Sequence, residues 1–318
     1  MAVQPVSLQG KKILVTGPTS QVAMPLLKQL CPIADVYALA RFSRQKDIDK
    51  ISALGAKIIR KDLATDSLAD IPDDFDYVLH FAVVKSGDFE YDLKANAIGS
   101  GHLLAHCKKA KAFLQCSTTG VYQYAGHDVL AENAPLGDNH RALLPTYSIS
   151  KIAQETVVRF AAKEHGVPLT IARLSVPYGD NGGWPFWHAA MMQNGTPVTV
   201  HPEQPNSYTP LHADDYCRHI PYLLAAATPD ATIVNWGASQ VVSIEDWCAW
   251  ISELTGFTPI FDKQPTAFGS LIPDISKLKE ILGEQPVSNV DWKDGVLRML
   301  RKMGPQWLKE EWKAEKTA

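Results

Sequence analysis

The sequence predicts an α/β protein built on a doubly wound parallel sheet. Two observations lead to this prediction: short apolar runs alternate with helical segments through the first half of the chain, and a glycine turn follows the first run. Strands that alternate with helices form βαβ units, which place helices on both faces of a parallel sheet. Because the crossovers are right-handed, the carboxyl ends of the strands share one edge, where ligands bind.

The predicted elements follow one another at regular intervals. Helical periodicity is expected at residues 20–30, 96–110 and 147–165. We therefore divide the chain into a first domain, residues 1–177, which is completed by about 211–240, and a second, mostly helical region at 178–318. The runs that predict strands are residues 12–16, 35–40, 56–60, 77–83, 112–117, 169–176 and 231–236.

The composition argues against several classes of partner. Of the 318 residues, 46% are hydrophobic and 20% are charged, and the net charge is −3. There is no basic block, so nucleic acid and anionic membranes are not expected partners. We find no apolar run of membrane-spanning length, no signal-peptide core and five scattered cysteines without a CxxC pair. These features predict a cytoplasmic protein with free thiols and no metal site, acting on a small molecule.

The segment TGPTSQVA, residues 16–23, follows the first predicted strand. A dinucleotide-binding turn needs glycine where the backbone turns sharply and again where it approaches the pyrophosphate. Gly17 meets the first requirement, whereas Ser20 and Ala23 stand at the later glycine positions. The N–H and hydroxyl of Ser20 can still donate to phosphate, and a helix N-terminus attracts anions. The turn predicts a dinucleotide site, and a plain strand–turn–helix connection is the alternative.

The end of the second predicted strand indicates which dinucleotide binds. NAD requires an acidic residue there, which binds the ribose 2′-hydroxyl. Ala40 stands in that place, Arg41 follows it and Arg44 is close by. A 2′-phosphate binds guanidinium groups and is repelled by carboxylates. The pattern favours NADP, with NAD possible; the alternative is that both arginines are simply solvated.

Short landmarks occur in a fixed order along most of the chain. They are VTGPTSQVA (15–23), DL (62–63), HFAV (80–83), NAIGSGHLL (96–104), CSTTGVYQ (116–123), YSISK (147–151), RLSVPYG (173–179) and PLHADD (210–215). In this order they resemble the landmarks of the extended short-chain dehydrogenase/reductase family, also called the NAD(P)-dependent epimerase/dehydratase family. The resemblance implies a Rossmann-type NADP-binding domain, a smaller C-terminal substrate domain, and a homodimer formed by the helices at about 92–109 and 147–165.

The resemblance also implies the residues of the site. Its catalytic set is Thr118, Tyr147 and Lys151, with Ser117 as a possible substitute for Thr118. The family often has asparagine where this chain has Val176, so a cofactor contact there is in doubt. Candidates for the substrate pocket are Ser117, Trp184, Trp187 and His188, although core or loop positions would also explain the last three. The implied cofactor contacts are Gly17, Thr19, Ser20, Gln21, Val22, Arg41, Arg44, Asp62, Leu63, Phe81, Ala82, Val83, Tyr147, Lys151 and Leu174.

The chemistry of the catalytic set follows from its spacing. Tyr147 and Lys151 are four residues apart, so they share one face of the predicted helix. An ammonium lowers the pKa of a neighbouring phenol, so Tyr147 can exchange a proton with a substrate oxygen. Thr118 can hold the same oxygen, and the cofactor carries the hydride. A chance pair on a helix face is the alternative.

These features together predict an NADP(H)-dependent oxidoreductase that interconverts a carbonyl and an alcohol. Residues 181–195 and 203–212 contain no Arg or Lys, and Tyr208 stands where the resembled sugar enzymes usually have arginine. A buried diphosphate would lose charge-assisted bonds there, so we expect a small apolar or aromatic substrate. One alternative is a nucleotide-sugar epimerase or dehydratase that retains its NAD(P). Another is a redox sensor, which would not need the catalytic set.

Overall fold

A computed structural model of the chain describes residues 2–138 and 142–314. Within these residues the strands, in chain order, are β1 (Lys12–Thr16), β2 (Asp35–Ala40), β3 (Lys57–Arg60), β4 (Tyr77–His80), β5 (Ala112–Thr118), β6 (Val129–Leu130), β7 (Leu169–Leu174), β8 (Pro177–Tyr178), β9 (Val198–Val200), β10 (Ser207–Tyr208), β11 (Leu211–His212), β12 (Thr232–Trp236), β13 (Val242–Ser243), β14 (Phe261–Lys263) and β15 (Ile272–Pro273).

The helices alternate with these strands in the first half and dominate the end of the chain. A π-helical segment, Lys94–Ile98, joins α3 to α4, and 3-10 turns occur at Thr119–Val121 and Pro305–Trp307. The α-helices are α1 (Ala23–Leu30), α2 (Gln45–Ser52), α3 (Phe89–Leu93), α4 (Gly99–His106), α5 (Tyr147–His165), α6 (Trp184–Gln193), α7 (Ala213–Ala225), α8 (Ile244–Thr255), α9 (Ser276–Leu282), α10 (Trp292–Met303) and α11 (Glu310–Lys313).

A parallel sheet forms the centre of the first domain. In the described residues its strand order is β12-β7-β5-β4-β1-β2-β3, and every neighbouring pair is parallel. The chain winds from β1 to β3 on one side and then from β4 to β12 on the other, so the order reverses between β1 and β4. The predicted doubly wound α/β sheet is confirmed, and its switch point lies at the carboxyl ends of β1 and β4.

Two apolar clusters cover the two faces of this sheet. One contains buried side chains of α1, α7 and α9, and the other contains buried side chains of α4 and α5. Strand β4 ends at His80, three residues earlier than predicted. The reason is that the N–H groups of Phe81 and Ala82 donate to the hydroxyl of Thr16 instead of continuing the ladder.

The second region has its own apolar core, formed largely by side chains of α6, α8 and α10. It is mostly helical, as predicted, but it also contains short strand pairs that the sequence did not predict, such as β9 with β14 and β10 with β13. Strand β12 returns to the main sheet beside β7. The boundary at residue 177 remains a prediction, and residues 315–318 of the second region lie outside the described part.

The described residues contain neither a candidate membrane span nor a candidate metal cluster. No helix there is both long and apolar enough to cross a membrane. No group of three or more His, Cys, Asp or Glu side chains in those residues could hold a metal ion.

Candidate active site

The catalytic candidates meet at the carboxyl edge of the sheet. Thr118 ends β5, Leu174 ends β7, and Tyr147 and Lys151 lie in the first turns of α5. All four line one cavity of about 430 Å³. The local reason is that β5 and β7 are adjacent parallel strands, while α5 begins directly above them after residue Thr146.

Tyr147 is hydrogen-bonded to Thr118, so the two side chains that were expected to hold one substrate oxygen lie side by side. Burial raises the pKa of Tyr147 to about 12, and the bond to Thr118 opposes part of that rise. The prediction that Lys151 lowers the pKa of Tyr147 was wrong for the protein without cofactor. The ammonium is instead directed at the carbonyl oxygen of Cys116, 2.7 Å away, and at the side-chain carbonyl of Gln154.

Lys151 is buried, with 4% of its surface exposed. Burial lowers its pKa to about 8, because desolvation disfavours the ammonium. Charge interactions with Cys116 and Glu155 act in the opposite direction, and Lys85 adds to the lowering. The lysine therefore remains mostly charged at neutral pH but is poised near its titration point.

Lys85 is a member of the site that the sequence analysis missed. It lines the same cavity, and its Nζ lies 4.5 Å from the centre of the Tyr147 ring. Burial lowers the pKa of Lys85. The sequence does contain a signal for this residue. Lys85 follows a central strand of the sheet by five residues, so it comes after the edge where ligands bind.

Ser117 lines the cavity but is committed elsewhere. Its hydroxyl donates to Glu155, whose carboxylate forms a buried ion pair with Arg173 at 2.7 Å. Arg173 also donates to the hydroxyl of Tyr122. This network anchors the end of β5 against α5, and it leaves Thr118 as the hydroxyl that faces Tyr147.

The turn after β1 is tight enough to require glycine at its first position, as the sequence analysis expects. Gly17 has a positive φ of 64°, and a Cβ there would lie 2.9 Å from the backbone of Ala82. The hydroxyl of Ser20 accepts from the N–H of Ala23 at the start of α1. Two cavities flank this turn: Gly17 and Thr19 line one, while Ser20, Gln21 and Val22 line the other.

The second cavity, of about 180 Å³, lies where the sequence analysis predicts the adenosine end of a dinucleotide. Arg41 lines it and donates to the hydroxyl of Tyr91, which in turn donates to Asp62. Lys61, which was not among the predicted contacts, lines it too. The implied contacts Leu63 and Ala82 also line this cavity, Phe81 lines the catalytic one, and Val83 lines both.

Arg44 is the implied cofactor contact that the structure places elsewhere. It is not among the described residues that line either cavity. Its guanidinium forms a two-point ion pair with Asp47 at the start of α2. The short i,i+3 spacing makes Asp47 the nearest acceptor, which is why Arg44 turns along the helix surface.

Aromatic rings form part of the lining of the cavity that contains Tyr147 and Lys151. Trp184 stacks on Phe268 with ring centres 5.7 Å apart, and it meets Tyr208 edge-on. Trp187 lines the cavity and remains 65% exposed. His188 does not line it: its Nδ1 accepts from the indole of Trp247, on which it stacks, so the prediction of a pocket role is not met.

The sequence profile of the NAD dependent epimerase/dehydratase family matches residues 13–237, more than half of the chain. No curated protein sequence matches significantly. Among solved structures, the UDP-glucuronic acid 4-epimerase from Bacillus cereus, in complex with UDP-glucuronic acid and NAD, is similar with a TM-score of 0.77. It is 22% identical, and the match covers 92% of this chain and 98% of that one.

Two further epimerases superpose equally well. The UDP-N-acetylglucosamine 4-epimerase from Methanobrevibacter ruminantium M1, with UDP-N-acetylmuramic acid, has a TM-score of 0.79 at 17% identity, covering 94% of this chain and 99% of that one. The UDP-glucose 4-epimerase from Thermotoga maritima has a TM-score of 0.75 at 21% identity, covering 91% and 97%. At these identities the likeness shows the fold. The profile match shows the family: the chain belongs to the NAD dependent epimerase/dehydratase family.

Proposed function

We propose that this chain is an NAD(P)-dependent enzyme that oxidises a substrate alcohol and reduces the resulting carbonyl at one site, as an epimerase or dehydratase with a retained cofactor does. The observation that carries the proposal is the hydrogen bond between Thr118 and Tyr147, in a cavity that Lys151 also lines. The family match supports turnover of this kind.

Each side chain in the cavity has a separate role in the proposed reaction. Tyr147 exchanges a proton with the substrate oxygen, and Thr118 holds that oxygen within hydrogen-bonding distance. The ammonium of Lys151 would donate a hydrogen bond to the ribose of the nicotinamide. The nicotinamide group, when bound, supplies the hydride acceptor and donor. The Gly17 turn, which admits close backbone approach, and the N-terminus of α1 would hold its pyrophosphate.

The substrate class that the family suggests is a sugar nucleotide. The similar solved structures named above were determined with UDP-sugars. The catalytic cavity offers Lys85 as a cation besides Lys151, among its described lining residues. We therefore take a nucleotide-sugar epimerase or dehydratase as the first candidate.

A second candidate is a net oxidoreductase that acts on a small apolar or aromatic carbonyl compound. Stacked Trp184 and Phe268, with Trp187, favour it, because aromatic walls bind apolar groups well. Tyr208 does not provide a phosphate clamp, since its hydroxyl donates to the backbone oxygens of Phe268 and Gly269.

The arginines that could replace such a clamp are engaged elsewhere. Arg298 pairs with Asp180 and Asp214. Arg218 donates to Asp215 and to backbone oxygens, and Arg301 donates to backbone oxygens near the C-terminus. A diphosphate would have to displace one of these bonds to obtain a guanidinium partner.

Cofactor stoichiometry separates the two candidates. Purified protein is incubated with UDP-, GDP- and dTDP-sugars and, separately, with hydrophobic ketones, aldehydes and alcohols, each with NAD(P)(H). Epimerised or dehydrated sugar without net change in nicotinamide absorbance supports the first candidate. Equimolar conversion of cofactor and an apolar substrate supports the second. Absence of any turnover across both panels, with cofactor bound, contradicts the proposal and favours a nucleotide sensor.

We further propose that NADP(H) binds more tightly than NAD(H). Ala40 stands where an NAD site has its acidic residue, and Arg41 and Lys61 line the adenosine cavity together with Asp47 and Asp62. Charge-assisted bonds to the phosphate contribute about 1.5–3 kcal/mol each. Titration of both cofactors by calorimetry, on wild type and Arg41→Ala, should show the preference and its loss. Lys46→Ala is the control, because Lys46 is an exposed cation of the same segment that lines neither cavity. Equal affinities in the wild type would reject NADP preference.

We also propose a homodimer in the cytoplasm. Ile98, in the π-helical segment, is 49% exposed, and Phe160 on α5 is 70% exposed, on neighbouring helices. Pairing of these helices with a second copy would bury both side chains. Ultracentrifugation should show a dimer at micromolar concentration, and Phe160→Asp should shift it toward monomer. A monomeric wild type excludes the dimer. The free cysteines fit a reducing compartment.

A further inference from the structure

A buried chain of hydrogen bonds connects the catalytic lysine to the dinucleotide turn. From Lys151 it passes to the carbonyl of Gln154, whose amide nitrogen donates to Ser100 over 2.7 Å. Ser100 lies 2.7 Å from Nε2 of His80, and Nδ1 of His80 lies 2.6 Å from the hydroxyl of Thr16. The four side chains beyond the lysine are at most 1% exposed. None of them is used by the proposed chemistry.

The positions of the protons in this chain can be worked out from one end. The hydroxyl oxygen of Thr16 accepts from the N–H groups of Phe81 and Ala82, so its own proton points at Nδ1 of His80. Nε2 of His80 therefore carries the ring proton and donates to Ser100. Burial lowers the pKa of His80 to about 3, which keeps the ring neutral.

The same reasoning fixes the orientation of the glutamine amide. The hydroxyl of Ser100 donates to the backbone oxygen of Asn96, so it can only accept from His80 and Gln154. The amide nitrogen of Gln154 must therefore face Ser100, and its carbonyl oxygen must face Lys151. A reversed amide would leave both partners unsatisfied inside the protein, at a substantial free-energy cost.

We infer that Gln154 is a positioning residue that holds the ammonium of Lys151 in place and keeps it charged. The carbonyl of Gln154 and that of Cys116 together occupy two of the three N–H groups of the ammonium. The third is then left for the cofactor or substrate. The inference rests on the proposed function in one respect, which is that Lys151 takes part in the reaction.

Other groups also act on the charge of Lys151. Glu155 and Cys116 favour the ammonium, whereas Lys85 and burial disfavour it, and the pKa is lowered to about 8. His80 is neutral, and Tyr147 is protonated at neutral pH. A hydrogen bond that only the charged form donates fully also favours that form. Removal of the Gln154 carbonyl should therefore lower the pKa of Lys151 further.

The test measures the titration of Lys151 in the cofactor-free protein. Lysine labelled with ¹³C at Cε reports its charge by NMR, and Lys151→Met identifies the signal. Gln154→Met keeps the length of the side chain but removes the acceptor, and we expect the midpoint to fall by about one pH unit. Gln154→Glu keeps an acceptor and adds a negative charge, so we expect the midpoint to rise.

Two controls separate this effect from a general loss of structure. Thr156→Ala changes an exposed residue on the same helix and should leave the midpoint unchanged. Near-ultraviolet circular dichroism checks that each variant keeps its side-chain packing. If Gln154→Met does not fold, the titration midpoint of Lys151 in Gln154→Glu still tests the inference. An unchanged midpoint in a folded Gln154 variant would overturn the inference. Because no substrate is used, failure of the proposed function would leave this result intact.

Discussion

The two walls of the catalytic cavity are built differently. On the sheet side, Lys151, Ser117 and their neighbours Glu155 and Gln154 are buried and joined by hydrogen bonds. On the opposite side the cavity is lined by aromatic rings, and Trp187 remains largely exposed. One wall is polar and fixed by directional bonds, whereas the other is apolar and held by packing.

The difference reflects what each wall must do. Proton transfer needs atoms held within a few tenths of an ångström, and satisfied buried hydrogen bonds give that precision. Recognition of a substrate body needs area and shape, which stacked rings supply with less directional demand. Changes to the polar wall should therefore affect rate or global stability, and changes to the aromatic wall should affect affinity.

The largest expected effect follows from Tyr147→Phe. The ring and its packing remain, but the hydroxyl that exchanges a proton is lost, so kcat should fall by about 10²- to 10⁴-fold. Cofactor affinity should stay within twofold of wild type, as measured by fluorescence titration. A variant that retains near wild-type kcat would show that the polar wall does not carry the proton transfer.

The next effect concerns stability. Arg173→Met leaves the Glu155 carboxylate buried without its ion-pair partner, and the free energy of unfolding should fall by about 3–5 kcal/mol. Arg44→Met removes an exposed pair with Asp47 and should cost less than about 1 kcal/mol. Urea denaturation compares the two. Similar losses at both sites would mean that burial of the polar wall is not what makes it rigid.

A smaller effect is expected on the aromatic wall. Trp187→Ala removes an exposed ring that lines the cavity, so stability should change by less than about 0.5 kcal/mol. Affinity for substrate should fall by up to about tenfold, because one aromatic contact contributes about 0.5–1.5 kcal/mol. Thermal denaturation and KM for the substrate found in the panels provide the two readouts. A loss of stability without loss of affinity would make Trp187 a packing residue.

The smallest effect concerns the backbone strain at Val176. Val176 lines the cavity with a φ of 32°, a left-handed conformation that β-branched residues rarely adopt. Asparagine tolerates that conformation, so Val176→Asn should increase the free energy of unfolding by about 1 kcal/mol. Val176→Thr, which keeps the branching, should give no gain in a calorimetric melt. Destabilisation by asparagine would mean that apolar packing of Val176 outweighs the strain.

The sequence alone determined the fold class, the family and the succession of strands and helices in the first half of the chain, whereas the phosphate turn and the catalytic set stay predictions. Strands β1 and β2 have the predicted bounds, and α5 spans Tyr147–His165 as expected. These features depend on local periodicity and on residues that are close together in the chain, so they can be predicted from the sequence. The family resemblance, confirmed by the profile match over residues 13–237, rests on the same ordered landmarks.

Only the tertiary structure decided which hydrogen bonds connect the side chains around the site. Gln154, Ser100 and His80 are far apart in sequence, and their shared role with Lys151 could not be read from any one segment. His188 turns to Trp247, 59 residues away, instead of the cavity. The pKa of Tyr147 is raised where an isolated tyrosine–lysine pair predicts a lowering, because burial outweighs the hydrogen bond from Thr118. Desolvation and long-range hydrogen bonds depend on what the fold packs around a group, and a sequence motif does not specify that environment.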